Sequence, residues 1–254
     1  MQEKLLTIGY STLADRLNNI VPSKVDLPHD IFISIQNPSN IDFVLPTNFE
    51  FNSATTSEKG VTKSRNTVLR STKTKYLLFA DDDIAFISKG IESAVSYLEA
   101  NPNCDLVLAQ VIDADGALRK AYPTREEKLT RFNSAKAGTI EMIVRVDSIR
   151  SKRVTFDENF GAGAETYLGD EYIFITDLLK AGGSATFLPI TIASHSEDSS
   201  GSRWGSEPDL RARAMVFQRV FGFTAPLIRT AFVFKNFHKF AGTKNLYKFI
   251  FGKL

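Results

Sequence analysis

Acidic side chains are concentrated at two points of this 254-residue chain. Asp81, Asp82 and Asp83 come directly after the apolar run at residues 76–80. Three adjacent negative charges repel one another unless a cation or several N–H donors compensate them. Because Mg²⁺ and Mn²⁺ prefer carboxylate oxygens and usually keep phosphate and water as further ligands, the triplet indicates a metal that carries a diphosphate. The alternative is an acidic run that caps the following helix or is simply solvated.

Asp170 and Glu171 form the second acidic group. They follow a turn-rich stretch at residues 156–163 and precede apolar residues with the spacing of an amphipathic helix. The helix dipole favours the ionised carboxylate, whereas a closed cleft raises its pKa toward neutrality, as a general base requires. Ordinary capping by acidic first-turn residues is the alternative.

Regular elements must bring these groups together. The apolar pattern predicts strands at residues 5–10, 31–35, 76–80, 106–111 and 185–193, helices at 61–71 and 88–100, an amphipathic stretch at 13–20 and a loop at 48–60. The strand at 76–80 is apolar on both faces, which is typical of the centre of a sheet covered by helices. This alternation predicts an α/β fold with a mostly parallel sheet, helices on both faces, and a ligand crevice at the carboxyl ends of the strands.

The segment GVTKSRNTVLRSTKTKYLLFADDDI resembles the central signature of family 2 glycosyltransferases of the GT-A fold. In that family a helix with an Arg-Asn pair, here Arg65 and Asn66, leads to a strand that ends in a DXD-type motif. The resemblance spans residues 5–195. It implies a Rossmann-like GT-A catalytic domain at residues 1–205.

The resemblance also implies roles for the acidic triplet. Asp81 or Asp82 would contact the ribose or base, and Asp83 would bind the Mn²⁺ or Mg²⁺ ion that bridges the diphosphate. Asp81 and His195 would be the further metal ligands, with a structural or simply exposed histidine as the alternative for His195. Arg65 would lie near the base or the phosphates, with a surface arginine on an amphipathic helix as the alternative.

A nucleotide-diphosphate sugar, above all a UDP-sugar, is the donor that the family implies. Tyr10 and Ser11, after the first strand, and Gln36, after the second, fall where such enzymes hold the nucleoside. Arg203 lies in the polar stretch after His195 and would contact the diphosphate, with an ordinary surface loop as the alternative. The sequence departs from the family where Gly-Tyr-Ser-Thr replaces Pro-Thr-Tyr-Asn and where Gln36 replaces an acidic residue.

Family likeness makes Glu171 the catalytic base, with Asp170 as the competitor, although the usual Glu-Asp order is reversed here. One base without an obvious covalent nucleophile predicts inversion at the anomeric carbon.

The acceptor that the resemblance implies is a hydroxyl of a glycan or lipid-linked molecule in O-antigen or capsule synthesis. A nucleotidyltransferase and a non-catalytic nucleotide-sugar-binding scaffold are the competing functions. The first would be expected to have a Gly-rich basic loop after the first strand, and this chain offers little of that.

The C-terminal part has a composition of its own. Residues 210–254 contain nine Lys or Arg, no Asp or Glu, and nine of the 20 phenylalanines. We therefore expect residues 206–254 to form a helical appendage that lies on an anionic membrane. The alternatives are packing on the catalytic domain or a homodimer contact.

Overall composition limits the classes of partner, cross-link and location that are expected for the protein. The net charge of +2 and the lack of a recognisable motif argue against a nucleic-acid partner. The single cysteine, Cys104, excludes an intrachain disulfide and is expected to be inert and buried. Without a run of about 18 apolar residues or a signal-like start, we expect a cytoplasmic protein, peripheral on the inner face of the cell membrane.

Overall fold

A computed structural model describes residues 3–22, 24–195, 206–240 and 246–251. The strands are β1 (Leu6–Leu13), β2 (His29–Gln36), β3 (Asn52–Thr56), β4 (Tyr76–Ala80), β5 (Ile84–Phe86), β6 (Leu106–Ile112), β7 (Glu127–Lys128), β8 (Met142–Arg145) and β9 (Ala185–His195). The α-helices are α1 (Val61–Ser71), α2 (Ser88–Ala100), α3 (Val146–Ser151), α4 (Asp170–Lys180), α5 (Glu207–Phe221), α6 (Ala225–Lys235), α7 (Phe237–Phe240) and α8 (Leu246–Phe251). Short 3-10 helices occupy Ala14–Asn19, Thr139–Glu141 and Gly222–Thr224.

One mixed sheet forms the centre of the molecule. Its strand order is β3-β2-β1-β4-β8-β6-β9-β5, and β7 pairs with β9 beside this path. The β1–β2, β1–β4, β2–β3 and β6–β9 pairs are parallel. β8 is antiparallel to both of its neighbours, β4 and β6, and β5 and β7 are antiparallel to β9. The fold is therefore α/β, as predicted. The sheet is mixed and not mostly parallel, because four of the eight strand pairs among the described residues are antiparallel.

Strand β4 shows how the sheet is buried on both faces. Tyr76, Leu78 and Ala80 belong to a core shared with α2, whereas Leu77 and Phe79 belong to a second core shared with α1, α3 and α4. This follows from the two-residue repeat of a strand, which sends successive side chains to opposite faces. The prediction of a central strand at residues 76–80 is confirmed.

Some predicted elements were wrong or missing. The loop expected at 48–60 contains β3, which is a polar and largely exposed strand at one end of the strand order, so apolar alternation could not reveal it. The amphipathic stretch at 13–20 forms a longer β1 followed by a 3-10 helix. β8 has only four residues and runs directly into α3, so it has no flanking turn that would mark it as a strand.

The C-terminal helices pack onto the sheet domain through α4. Tyr172 and Ile173 of α4 share a third core with Val216 and Val220 of α5. A fourth core joins α5 to α6, α7 and α8. The domain boundary near residue 205 remains a prediction. Within the described residues, no helix is both long and apolar enough to cross a membrane.

Candidate active site

Sheet register brings the end of β1 beside the acidic triplet. Tyr10 pairs with Ala80 in the parallel β1–β4 ladder, so the next residues of both strands emerge at the same edge. The hydroxyl of Thr12 donates a hydrogen bond to Asp82 Oδ2. Burial raises the pKa of Asp82, although the Thr12 hydroxyl and Arg16 oppose this.

The same logic of register places His195 against Asp83. β5 is antiparallel to β9, and Ile84 pairs with His195. The residue before Ile84 therefore meets the end of β9, and His195 Nε2 lies 3.1 Å from Asp83 Oδ1. The hydrogen bond from His195 holds the pKa of Asp83 below its usual value, against the effect of burial.

Arg16 is a functional candidate that the sequence did not reveal. It lies in the 3-10 helix after β1, and its guanidinium Nη2 is 2.6 Å from Asp82 Oδ1 and 3.1 Å from Asp83 Oδ2. It therefore supplies part of the positive charge that the triplet requires. No spacing rule connects an arginine in a 3-10 helix to carboxylates more than sixty residues later.

Arg65 connects the two acidic groups. Its Nη1 lies 2.5 Å from Asp170 Oδ2, and its Nη2 lies 3.3 Å from Asp81 Oδ1. The Arg65 side chain is only 7% exposed, so both contacts are made largely out of water. Burial by itself would lower the pKa of Arg65, but the carboxylates of Asp170, Asp81 and Glu171 outweigh it and raise that pKa. Arg65 is thus a permanent cation between the triplet and the start of α4.

Asp170 and Glu171 occupy the first turn of α4 and have opposite electrostatic surroundings. Burial, followed by the neighbouring Glu171 carboxylate, raises the pKa of Asp170 to about 7. Burial acts on Glu171 in the same direction, but Arg65 and the Thr139 hydroxyl, which donates a 2.7 Å hydrogen bond to Oε1, lower its pKa overall. Glu171 is therefore ionised at neutral pH and able to accept a proton.

The segment before α4 is fixed by close contacts. The side chain of Asn66 bonds the backbone of Phe156 in both directions, at 2.8 Å and 3.0 Å. Gly161 has φ +94°, and a Cβ there would lie 3.0 Å from Cγ of Asp170. The two residues of the Arg-Asn pair therefore have different roles. Arg65 contacts the carboxylates, and Asn66 fixes the segment that leads to Asp170 and Glu171.

Comparison with known proteins shows similarity in sequence to one family and in fold to several solved structures. Residues 50–160 match the family model described as glycosyl transferase family 2. The crystal structure of S. aureus TarS 1-349 superimposes with a TM-score of 0.64 at 12% identity, covering 96% of this chain and 76% of that one.

Two ligand complexes of S. aureus TarS 1-349 are also similar. The complex with UDP has a TM-score of 0.61 at 14% identity, covering 96% of this chain and 74% of that one. The complex with UDP-GlcNAc has a TM-score of 0.58 at 13% identity, covering 95% of this chain and 74% of that one. No curated protein matches the chain significantly.

Over residues 50–160 the chain is therefore similar to family 2 glycosyltransferases, and its fold is of the GT-A type. The matched segment of the family contains α1 with Arg65, β4 and the acidic triplet. Asp170 and Glu171 lie beyond that segment, so their assignment depends on the fold and on Arg65, which reaches them.

The residues predicted to hold the nucleoside differ in their surroundings. Tyr10 is 1% exposed, belongs to the first core and packs edge-on against Phe86, so its side chain has a packing role. Ser11 is buried, and its hydroxyl lacks a hydrogen-bond partner among the described residues. Gln36 accepts a 2.8 Å hydrogen bond from the backbone N–H of Gly60 at the start of α1. Arg203 lies outside the described residues.

The donor groups at Asp83 and His195 fit a divalent metal. A carboxylate oxygen and an imidazole nitrogen meet at 3.1 Å, and both groups are accepted by Mn²⁺. Asp81, the third predicted ligand, pairs with Arg65 instead. No three metal-binding side chains converge among the described residues, so a metal held here by Asp83 and His195 would need phosphate and water as further ligands.

Proposed function

We propose that this glycosyltransferase moves a sugar from a UDP-sugar to a hydroxyl of a glycan or lipid-linked acceptor, with inversion and with Mn²⁺ or Mg²⁺ as cofactor. The observation that carries the proposal is the contact of one buried guanidinium with both acidic groups. Arg65 reaches Asp81 at the donor side and Asp170 beside the candidate base. A donor bound before the triplet would therefore lie next to Glu171.

The chemical step is a direct displacement. Glu171 accepts the proton of the acceptor hydroxyl, whose oxygen forms the new bond to the anomeric carbon. The bond from that carbon to the diphosphate breaks, and the UDP leaves with the electron pair. Attack from the side opposite the leaving group inverts the anomeric configuration. Thr139 and Arg65 keep Glu171 ionised and oriented for this role.

The metal supplies positive charge for the departing diphosphate. Asp83 and His195 would hold it, while Arg16 orients Asp82 and Asp83. The choice of UDP is supported by the UDP and UDP-GlcNAc complexes of S. aureus TarS 1-349. The surface-polysaccharide setting and a peripheral position on the inner face of the cell membrane complete the proposal, supported by the family and by the basic C-terminal segment.

Exchange of the base tests the reaction. We expect Glu171→Gln to reduce UDP release from a panel of UDP-sugars, with acceptor glycans and Mn²⁺, by about 100-fold or more. Glu165→Gln is the matched control, because Glu165 is a carboxylate with a side chain that is 78% exposed. Equal rates for wild type and Glu171→Gln would disprove the base. Release of a sugar 1-phosphate in place of UDP would indicate a nucleotidyltransferase, and binding without turnover a scaffold.

A binding experiment tests the metal separately. We expect UDP with Mn²⁺ to raise the melting temperature, since a ligand at about 100 times its Kd stabilises the native state by about 2.7 kcal/mol. His195→Ala and Asp83→Asn should abolish the part of the shift that depends on Mn²⁺, while His29→Ala, a histidine outside the site, should keep it. A shift by UDP that is the same with and without Mn²⁺ would contradict metal dependence.

A further inference from the structure

The C-terminal helices leave a group of large apolar side chains in water. Six side chains of residues 223–251 are between 61% and 95% exposed. We refer to them together as the aromatic face: Phe223, Leu227, Phe234, Phe237, Tyr247 and Phe251. Soluble proteins expose single apolar side chains commonly, but a concentration of this kind marks an interaction surface.

Helical spacing shows that the exposure is organised. On α6, Leu227 and Phe234 are seven residues apart and so share one side of the helix. Ala225, Arg229 and Val233 lie on the other side and are buried against the rest of the C-terminal helices. α6 therefore has apolar residues on its exposed side as well as on its buried side, and the described part of the chain does not cover the exposed ones.

Charge indicates the partner. Residues 210–254 contain no Asp or Glu, and five lysines follow Phe234 in the sequence. Lys235, directly beside Phe234, is exposed. Exposed aromatic side chains in a segment that is rich in lysine and free of acidic residues fit the interface of an anionic bilayer, where the rings enter the headgroup region and the cations meet phosphate. A second copy of this segment would instead bring one positively charged segment against another.

Two contacts connect the end of α5 with α4. The ring of Phe132, which is 66% exposed, lies 5.7 Å from that of Phe221, two residues before Phe223. The backbone of Arg131 accepts a hydrogen bond from the hydroxyl of Tyr172, the residue after Glu171. These contacts join α5, next to the aromatic face, to the helix that begins with the candidate base.

We propose that the aromatic face is the membrane-binding surface of the enzyme and inserts into anionic bilayers while the neighbouring lysines contact the headgroups. The proposal deepens the proposed function, because it names the surface through which a lipid-linked acceptor would be reached. Binding to vesicles requires neither donor nor catalysis. Its failure is thus distinguishable from a failure of the transferase reaction.

Vesicle co-sedimentation tests the proposal with two matched double variants of the full chain. We expect wild type to sediment with vesicles of equal parts phosphatidylcholine and phosphatidylglycerol, and far less with phosphatidylcholine alone. Leu227→Gln combined with Phe234→Gln should weaken binding at least about tenfold, since each buried apolar side chain contributes to insertion. Val44→Gln combined with Leu45→Gln is the control, because these residues are 81% and 44% exposed outside the face.

The second part of the experiment tests the contribution of the lysines. Replacing Lys235 and Lys239 by Gln should weaken binding to the anionic vesicles by about fivefold per lysine and leave the residual binding to phosphatidylcholine unchanged. The proposal is overturned if wild type stays in the supernatant, or if the Leu227/Phe234 variant binds like wild type. It is equally overturned if wild type is a dimer in solution that this variant converts to a monomer, because the face would then be a dimer contact.

Discussion

Arg65 is the cation that compensates the negative charges of the two acidic groups. It makes contacts below 4 Å with three carboxylates, those of Asp81, Asp170 and Glu171, while its own side chain is almost fully buried. A buried ion pair adds little net stability when formed, but removal of one partner leaves an uncompensated buried charge and is strongly destabilising. The site therefore depends on this residue for folding as well as for chemistry.

Replacement of Arg65 by methionine should show this dependence. We expect Arg65→Met to lower the free energy of unfolding by about 3–5 kcal/mol, the range for breaking a buried pair. Arg70→Met on the same helix should change it by about 0.5 kcal/mol at most, because Arg70 is exposed. Urea unfolding followed by circular dichroism measures both. Equal losses in the two variants would mean that helix packing, and not charge, explains the effect.

The pKa of Asp170 gives a prediction with a definite sign. An acid whose pKa is raised to about 7 in the folded state binds more protons there than in the unfolded state, where its pKa is about 3.9. Its contribution to stability is full below about pH 4 and is lost as the pH rises toward 7. Asp170→Asn removes this titration. We expect the variant to gain stability relative to wild type by up to about 1.4 kcal/mol per pH unit over this interval.

Urea unfolding of both proteins at pH 5, 6 and 7 checks the sign. Wild type and Asp170→Asn experience the same background of other titrating groups, so their difference isolates Asp170. Parallel stability curves would show that Asp170 is ionised throughout, held by its contact with Arg65.

At the scale of elements, the start of α4 is shaped by the close approach of α5. Gly169 precedes α4 with φ +89°, and a Cβ there would lie 2.5 Å from a methyl carbon of Val216. A glycine thus allows both the left-handed turn before Asp170 and the packing of α5 on α4. The position of the candidate catalytic pair and the docking of the C-terminal helices depend on the same residue.

Gly169→Ala tests whether the contact with Val216 adds to the energetic cost of the positive φ. We expect it to lower the free energy of unfolding by about 2–4 kcal/mol, combining the positive φ with overpacking against Val216. Gly182→Ala is the control, because Gly182 has φ +78° but no neighbour within 4 Å of the added Cβ. It should cost about 1 kcal/mol. If the two losses agree, the contact with Val216 is unimportant.

Elements also decide how much could be predicted from the sequence. The helices at 61–71 and 88–100 agree with prediction, because their apolar residues repeat with helical spacing. The contact of Asp83 with His195 depends on the register of β5 against β9, which the short sequence of β5 does not encode. Arg16 and Thr139 lie in 3-10 helices outside any motif, and only the folded chain shows what they contact.

At the scale of the whole molecule, the C-terminal helices are coupled to the sheet domain. Tyr172 and Ile173, adjacent to the candidate base, are buried in the core that α5 completes. Arg219 of α5 also pairs with Asp157 at 2.7 Å and Asp177 at 2.6 Å, which lie before α4 and within it. An appendage joined through apolar packing and the two ion pairs of Arg219 is expected to unfold together with the domain that it covers.

Truncation measures this coupling. We expect a chain of residues 1–205 to lose its cooperative unfolding transition, because removal of α5 exposes the third core and leaves Asp157 and Asp177 without Arg219. A chain of residues 1–224 keeps α5 and lacks most of the aromatic face. It should therefore unfold cooperatively, at a lower urea midpoint than the full chain because the fourth core is lost, and should no longer bind vesicles. If residues 1–205 unfold with the midpoint of the full chain, the C-terminal helices are an independent unit.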